Sequence, residues 1–146
     1  VSTLLQETEE LFYRLIPITR AMGVRVAEYD GRQLVLEAPL ALNHNHLGTA
    51  FGGSLNAIAT LAAYGWVWLE LRDPACHVVV RDSSISFRRP VRHDLRAVCH
   101  RPEESLVSAF RAGFMGKGKG RIELSVSIEE ASLTAVQFVG TFVATK

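Results

Sequence analysis

The chain has 146 residues, 48% of them hydrophobic, and a formal net charge of +1. That length and apolar content suit a single domain over residues 1–146, one that buries roughly 68–70% of its unfolded surface. The near-neutral charge excludes a protein that coats nucleic acid, and two cysteines without a Cys-x-x-Cys spacing exclude a disulfide scaffold.

Leu4, Leu5, Leu11, Phe12, Leu15 and Ile16 recur at helical spacing, and Pro17 closes that segment. The chain begins at Val1 rather than methionine, which leaves room for a larger parent protein. No signal-peptide pattern opens it, so a reducing, cytoplasmic setting is expected. Met22, Val24 and Val26 then alternate toward Asp30-Gly31, a two-residue hairpin signal, and Leu34 and Leu36 alternate on the return strand.

Pro39 opens the most informative stretch, which ends Asn43-His44-Asn45-His46-Leu47-Gly48-Thr49-Ala50-Phe51-Gly52-Gly53-Ser54. This polar, glycine-rich loop runs straight into an apolar helix. The first N–H groups of any helix lack intrahelical acceptors, so such a junction suits a developing negative charge on an oxygen. From Leu55 to Leu71 the helix is apolar nearly all round. A bilayer span needs about 20 apolar residues and tolerates charge poorly. This segment carries Asn56, Thr60, Tyr64 and Glu70, so no membrane span is expected and the helix is read as buried inside a sheet. Trp66 and Trp68 are assigned to the core, and Glu70 to solvent or to a pair with Arg72.

Cys76 to Phe87 reads as a long strand stopped by Pro90, and Leu95–His100, Val107–Met115, Ile122–Ile128 and Val136–Val143 supply further strands. Gly116-Lys117-Gly118-Lys119-Gly120-Arg121 lacks the phosphate-loop spacing and precedes a strand, so a mobile, solvated hairpin is expected there. His44 and His46, with Cys76-His77 or Cys99-His100, match no tetrahedral zinc template; neither metal nor other cofactor is expected. Helix, hairpin, long apolar helix and four or five antiparallel strands together imply an α+β fold, a curved antiparallel sheet wrapped around the central helix.

Asn45-x-x-Gly48-x-x-Phe51-Gly52-Gly53 resembles the hotdog thioesterase signature Asn-x-x-Gly-x-x-His-Gly-Gly, and Ser83-Ser84-Ile85-Ser86-Phe87-Arg88-Arg89-Pro90-Val91 resembles the strand after the central helix in that superfamily. With the Asn-His-Asn run and the Trp-rich helix, the whole chain is similar to the putative-thioesterase family found alone or as the C-terminal domain of bifunctional acetyltransferase proteins. Some of its members are malonyl-acyl-carrier-protein decarboxylases. The resemblance implies a hotdog fold and an enzyme acting on an acyl thioester of acyl carrier protein or coenzyme A. It also implies a homodimer or higher oligomer with acyl sites at subunit interfaces.

Two departures from the signature bear on the reaction. Phe51 stands where the histidine would, and Thr60 stands where many of these thioesterases carry an acidic residue nine positions further on. Hydrolysis needs a base or a nucleophile within reach. Decarboxylation of a malonyl thioester needs only stabilisation of the enolate oxygen, and is the preferred reading. Thioester hydrolysis is the alternative, with water positioned by Asn45, Thr60 or Asp82; a non-catalytic acyl-thioester sensor is the more remote one. The catalytic candidates are Asn45 as side-chain donor, Gly53 as backbone donor and Thr60. Candidate substrate contacts are His46, Phe51, Gly52, Asp82 and Ser84, with Arg88 and Arg89 as a grip for carrier-protein acid groups or coenzyme A phosphates. Ser83 and Ser84 alternate faces, so one of them points inward.

Overall fold

The computed structural model describes residues 2–146, with side chains described from Leu4 onward. Helix α1 (Ser2–Leu15) stops short of Pro17, whose ring cannot continue a helix interior, and the single turn α2 (Ile18–Ala21) redirects the chain. Strands β1 (Arg25–Tyr29) and β2 (Gln33–Ala38) pair antiparallel. Their turn is set by Gly31 at φ 85° and by the Asp30 carboxylate, which accepts the N–H groups of Arg32 and Gln33 at 2.9 Å each.

A short 3-10 turn (Leu40–Leu42) and the Asn43–Phe51 loop lead into α3 (Gly52–Leu71). After it come β3 (His77–Phe87), β4 (Leu95–His100), α4 (Glu104–Lys117), β5 (Lys119–Glu130) and β6 (Leu133–Thr145). The six strands form one antiparallel sheet in the order β1-β2-β4-β5-β6-β3. The sheet curls around α3, which contacts β2 through β6 and buries Ile58, Ala59, Ala62, Trp66 and Val67 completely. This is the hotdog architecture expected from the sequence. Apolar residues all round α3 fit it, because sheet covers most of its circumference. Close approach is enforced at Gly65, where a Cβ would lie 2.6 Å from the Phe12 ring and 2.9 Å from Leu34. Among the described residues no helix is long and apolar enough to cross a membrane.

Three expectations are corrected. Val107–Met115 is not a strand but the body of α4, whose buried face is Val107, Phe110 and Phe114, spaced three and four apart. Gly116–Arg121 is not a hairpin: Gly118 ends α4 in the left-handed conformation (φ 73°) and β5 starts at the next residue. Glu70 neither faces solvent nor pairs with Arg72. Its carboxylate is largely buried between Arg101, at 2.6 Å, and Arg111, at 3.2 Å, and so ties the end of α3 to the β4–α4 connection and to α4.

Candidate active site

The loop before α3 is a self-contained turn. Asn45 Oδ1 accepts the N–H groups of Leu47 (2.8 Å) and Thr49 (3.2 Å), and Nδ2 donates to Thr49 Oγ1 at 2.9 Å. Backbone bonds from Asn45 N to Thr49 O and from Gly48 N to Asn45 O close it, with Gly48 at φ 79°. Asn43 anchors this turn to the body. It is 3% exposed, its Nδ2 donates to Met22 O and Pro39 O at 2.8 Å each, and its carbonyl accepts Phe51 N–H at 2.8 Å.

Helix α3 therefore starts against a fixed loop, with Phe51 as N-cap and no capping side chain. The first helical N–H to find an acceptor is that of Leu55, on Phe51 O at 3.0 Å. Among the described residues nothing accepts from the N–H groups of Gly52, Gly53 or Ser54. These donors carry the positive end of the helix dipole. A Cβ on Gly53 would sit 2.4 Å from Cε2 of the exposed Phe51 ring, so a side chain there would require that ring to turn aside.

A cavity of about 890 Å³ opens at this end of α3 and follows the helix. The helix lines it with Gly53, Asn56, Ala57, Thr60, Leu61 and Tyr64, the spacing of one helical face. Gly53 and Tyr64 are eleven residues apart, which makes that wall roughly 16 Å long. Leu15, Ile18 and Met22 form a second wall, and Val78, Val80 and Ser83 of β3 a third. Strand β3 runs opposite in direction to α3. The Phe87 ring comes within 3.7 Å of where a Gly52 Cβ would be, and Cys76, just before the strand, lies beside Tyr64. Burial, followed by the nearby Cys76, raises the Tyr64 phenol above its ordinary value, so this end of the cavity presents a neutral hydroxyl.

The cavity gathers some of the sequence-derived candidates and not others. Gly53 and Thr60 line it. Thr60 Oγ1 donates to the carbonyl of Asn56 at 2.8 Å, the usual back-bond of a helical threonine. Gly52 and Phe51 precede Gly53 in the chain but do not line the cavity. Asn45 does not line it, its carboxamide being engaged within its own turn, and His46 is exposed on the same loop. A bulge in β3 between Val80 and Asp82 reverses the alternation of faces. It brings Ser83, not Ser84, to the cavity, while Asp82 is exposed and pairs with Arg81 at 3.1 Å. Arg88 and Arg89 are exposed one and two residues beyond Phe87, and no carboxylate pairs with either among the described residues. Sequence reasoning passed over Asn56 and Tyr64. The signal was there, since both fall on the helical face that joins Gly53 to Thr60.

A family model described as "Putative thioesterase (yiiD_Cterm)" matches residues 5–146. Among solved structures, a protein of unknown function from Chlorobaculum tepidum is 33% identical, with a TM-score of 0.92 over 99% of this chain and 96% of that one. A putative thioesterase from Shewanella oneidensis is 26% identical, with a TM-score of 0.89 over 100% of both chains. A thioesterase from Haemophilus influenzae, 14% identical with a TM-score of 0.69 over 97% of this chain and 90% of that one, is similar in fold alone.

Proposed function

The chain belongs to the putative-thioesterase (yiiD_Cterm) family, and from that premise we propose that it decarboxylates a malonyl thioester, carried on acyl carrier protein or coenzyme A, to the acetyl thioester. One observation carries the preference over hydrolysis: among the described residues lining the cavity, the polar groups are hydroxyls and one carboxamide, with no carboxylate, imidazole or thiol. Such a lining offers no base to deprotonate water or to activate one of its own hydroxyls for attack on a carbonyl. Decarboxylation asks for less. The C2–C3 bond breaks, C3 leaves as carbon dioxide, and the electron pair of that bond stays on C2 and is delocalised onto the thioester oxygen as an enolate. C2 then takes a proton from water. The unpaired N–H groups at the start of α3 suit that oxygen, and one well-aimed donor of this kind is worth about 3–4 kcal/mol.

The reading includes a homodimer. Strand β3 is a long sheet edge paired only with β6, and Leu47, Phe51 and Phe87 stay exposed. A second copy laid along that edge would cover both and bring its Asn45 loop over the cavity, so that the carboxamide missing from one copy's site is supplied by the other. Arg88 and Arg89 would then flank the entrance and meet the acidic carrier or the phosphates of coenzyme A. Both cysteines are free and buried, which fits a reducing cytoplasm.

Hydrolysis of a longer acyl thioester is the second reading, favoured by the apolar walls and length of the cavity. One assay separates the two. Purified protein is incubated with malonyl-, acetyl- and decanoyl-loaded carrier protein and the matching coenzyme A thioesters, and products are followed by mass. Loss of carbon dioxide with the thioester intact is the expected result. Free carrier thiol from the decanoyl substrate, with malonyl untouched, would establish hydrolysis instead, and tight binding without turnover would establish a sensor.

A further inference from the structure

Asn56 is the carboxamide among the polar side chains that α3 presents to the cavity, the others being the hydroxyls of Thr60 and Tyr64. It lies three residues beyond Gly53, about 4.5 Å further along α3, and helical side chains lean back toward the N-terminus. Its carboxamide thus overlies the turn that opens with the unpaired N–H groups. Its orientation is constrained from the other side. Thr60 Oγ1 donates to the Asn56 carbonyl at 2.8 Å and approaches Asn56 Oδ1 at 3.4 Å. With Oδ1 turned toward Thr60, Nδ2 faces the opposite way, and among the described residues nothing accepts from it.

The distances match one part of a substrate. With the thioester oxygen at the start of α3, the acyl C3 lies two bonds deeper than the carbonyl carbon, about 2.5 Å at the usual bond lengths. An oxygen on C3 then reaches the level of Asn56 and stops short of Tyr64, at the far end of the same face. The geometry points to Asn56 as the residue that reads the substituent at C3, its Nδ2 donating to an oxygen there. The substrates selected are thioesters oxygenated at C3, with malonyl first among them. This rests on the thioester reading above and names the group that would choose within it.

A neutral amide suits that task better than a cation would. An arginine at this position would hold a C3 carboxylate in a strong charged pair and stabilise the ground state that must lose carbon dioxide. A carboxamide can turn the carboxylate out of the thioester plane, so that the breaking C2–C3 bond aligns with the carbonyl π system, with less ground-state stabilisation. Thr60 acts here as a positioning residue for Asn56.

The test is binding of amide analogues, in which nitrogen replaces the thioester sulfur so that neither hydrolysis nor decarboxylation competes. Malonyl and 3-methylbutyryl amides have nearly the same shape, the second carrying two methyl groups where the first has two carboxylate oxygens. Calorimetry with both, on coenzyme A and on acyl carrier protein, is expected to show at least tenfold tighter binding of the malonyl amide. Asn56→Leu, of similar volume, is expected to erase that preference while keeping the 3-methylbutyryl affinity within about twofold, with its melting temperature checked in parallel. Thr60→Val is expected to weaken the preference, and Thr60→Ser to restore it. Equal binding of the two amides by the unmodified protein, or a preference that survives Asn56→Leu, would overturn the role of Asn56 alone. Failure of both amides to bind on either carrier would overturn the thioester reading itself.

Discussion

At the scale of single residues, Asn45 carries the sharpest question. Its side chain makes three bonds inside its own turn, two through Oδ1 and one through Nδ2, so a variant can lose activity by loosening the loop or by losing a donor. Asn45→Asp separates these effects. Aspartate keeps an acceptor for Leu47 N–H and Thr49 N–H, and the Thr49 hydroxyl can reverse to donate to it, but no N–H remains to offer a substrate. Asn45→Ala is expected to lower the melting temperature by about 3 °C, in line with a loss of about 1 kcal/mol. Turnover is expected to fall about a hundredfold in both variants, while Asn45→Asp melts like the parent protein. An aspartate variant with near-parental turnover would reduce Asn45 to a loop residue. The thiols behave differently: burial raises Cys99 far above its ordinary value, and burial followed by Asp73 raises Cys76. The thiolate is the reactive form, so neither should label with a thiol reagent at mildly alkaline pH in the native protein. Both should label after unfolding, and rapid native labelling of Cys99 would contradict its burial.

The secondary elements show which patterns can be read from sequence and which cannot. Strands β4 and β5 alternate cleanly because one face meets α3 and the other meets water; β5 keeps this rhythm from Gly120 to Ile128. Two features broke the rule of two. The β3 bulge moves Ser83 inward by one extra residue, something no alternation pattern announces. In α4, Val107, Phe110 and Phe114 share the composition of a strand, and only their spacing of three and four marks the helix. The candidate site was legible where backbone chemistry defines it, at the glycines that open α3. Asn56 was not, because a polar residue in an apolar helix reads as an argument against membrane insertion before it reads as a contact. Packing between α1 and α3 gives a direct test of how the cavity wall is held. Gly65→Ala places a Cβ 2.6 Å from Phe12 and 2.9 Å from Leu34. Overpacking of this kind costs about 1–3 kcal/mol. Urea unfolding should show a lower midpoint with an unchanged slope; an unchanged midpoint would mean that α1 yields freely and is not a fixed wall.

For the whole molecule, the question is what covers the open side. The sheet wraps α3 on most sides, yet its last strand, β3, pairs with β6 alone and leaves Val79 60% and Val80 41% exposed. An eleven-residue edge strand with apolar side chains is a template for pairing with another chain, and folded proteins that remain monomers usually blunt such an edge with lysine, proline or a short strand. Here Arg81 and Asp82 sit at the bulge and pair with each other, so they add no net charge to it. Val79 and Val80 also line the cavity, so the open edge and the candidate site share a boundary. If two copies join along β3, assembly and activity rise together, because closing the edge also closes the mouth. Val79→Lys puts a charge on the edge without touching the start of α3. Sedimentation velocity should find the parent protein dimeric and the variant shifted toward monomer, with turnover falling in proportion to the dimer lost. A parent protein that sediments as a monomer at full turnover would remove the second copy from the mechanism, and the helix N-terminus with Asn56 would then have to act alone.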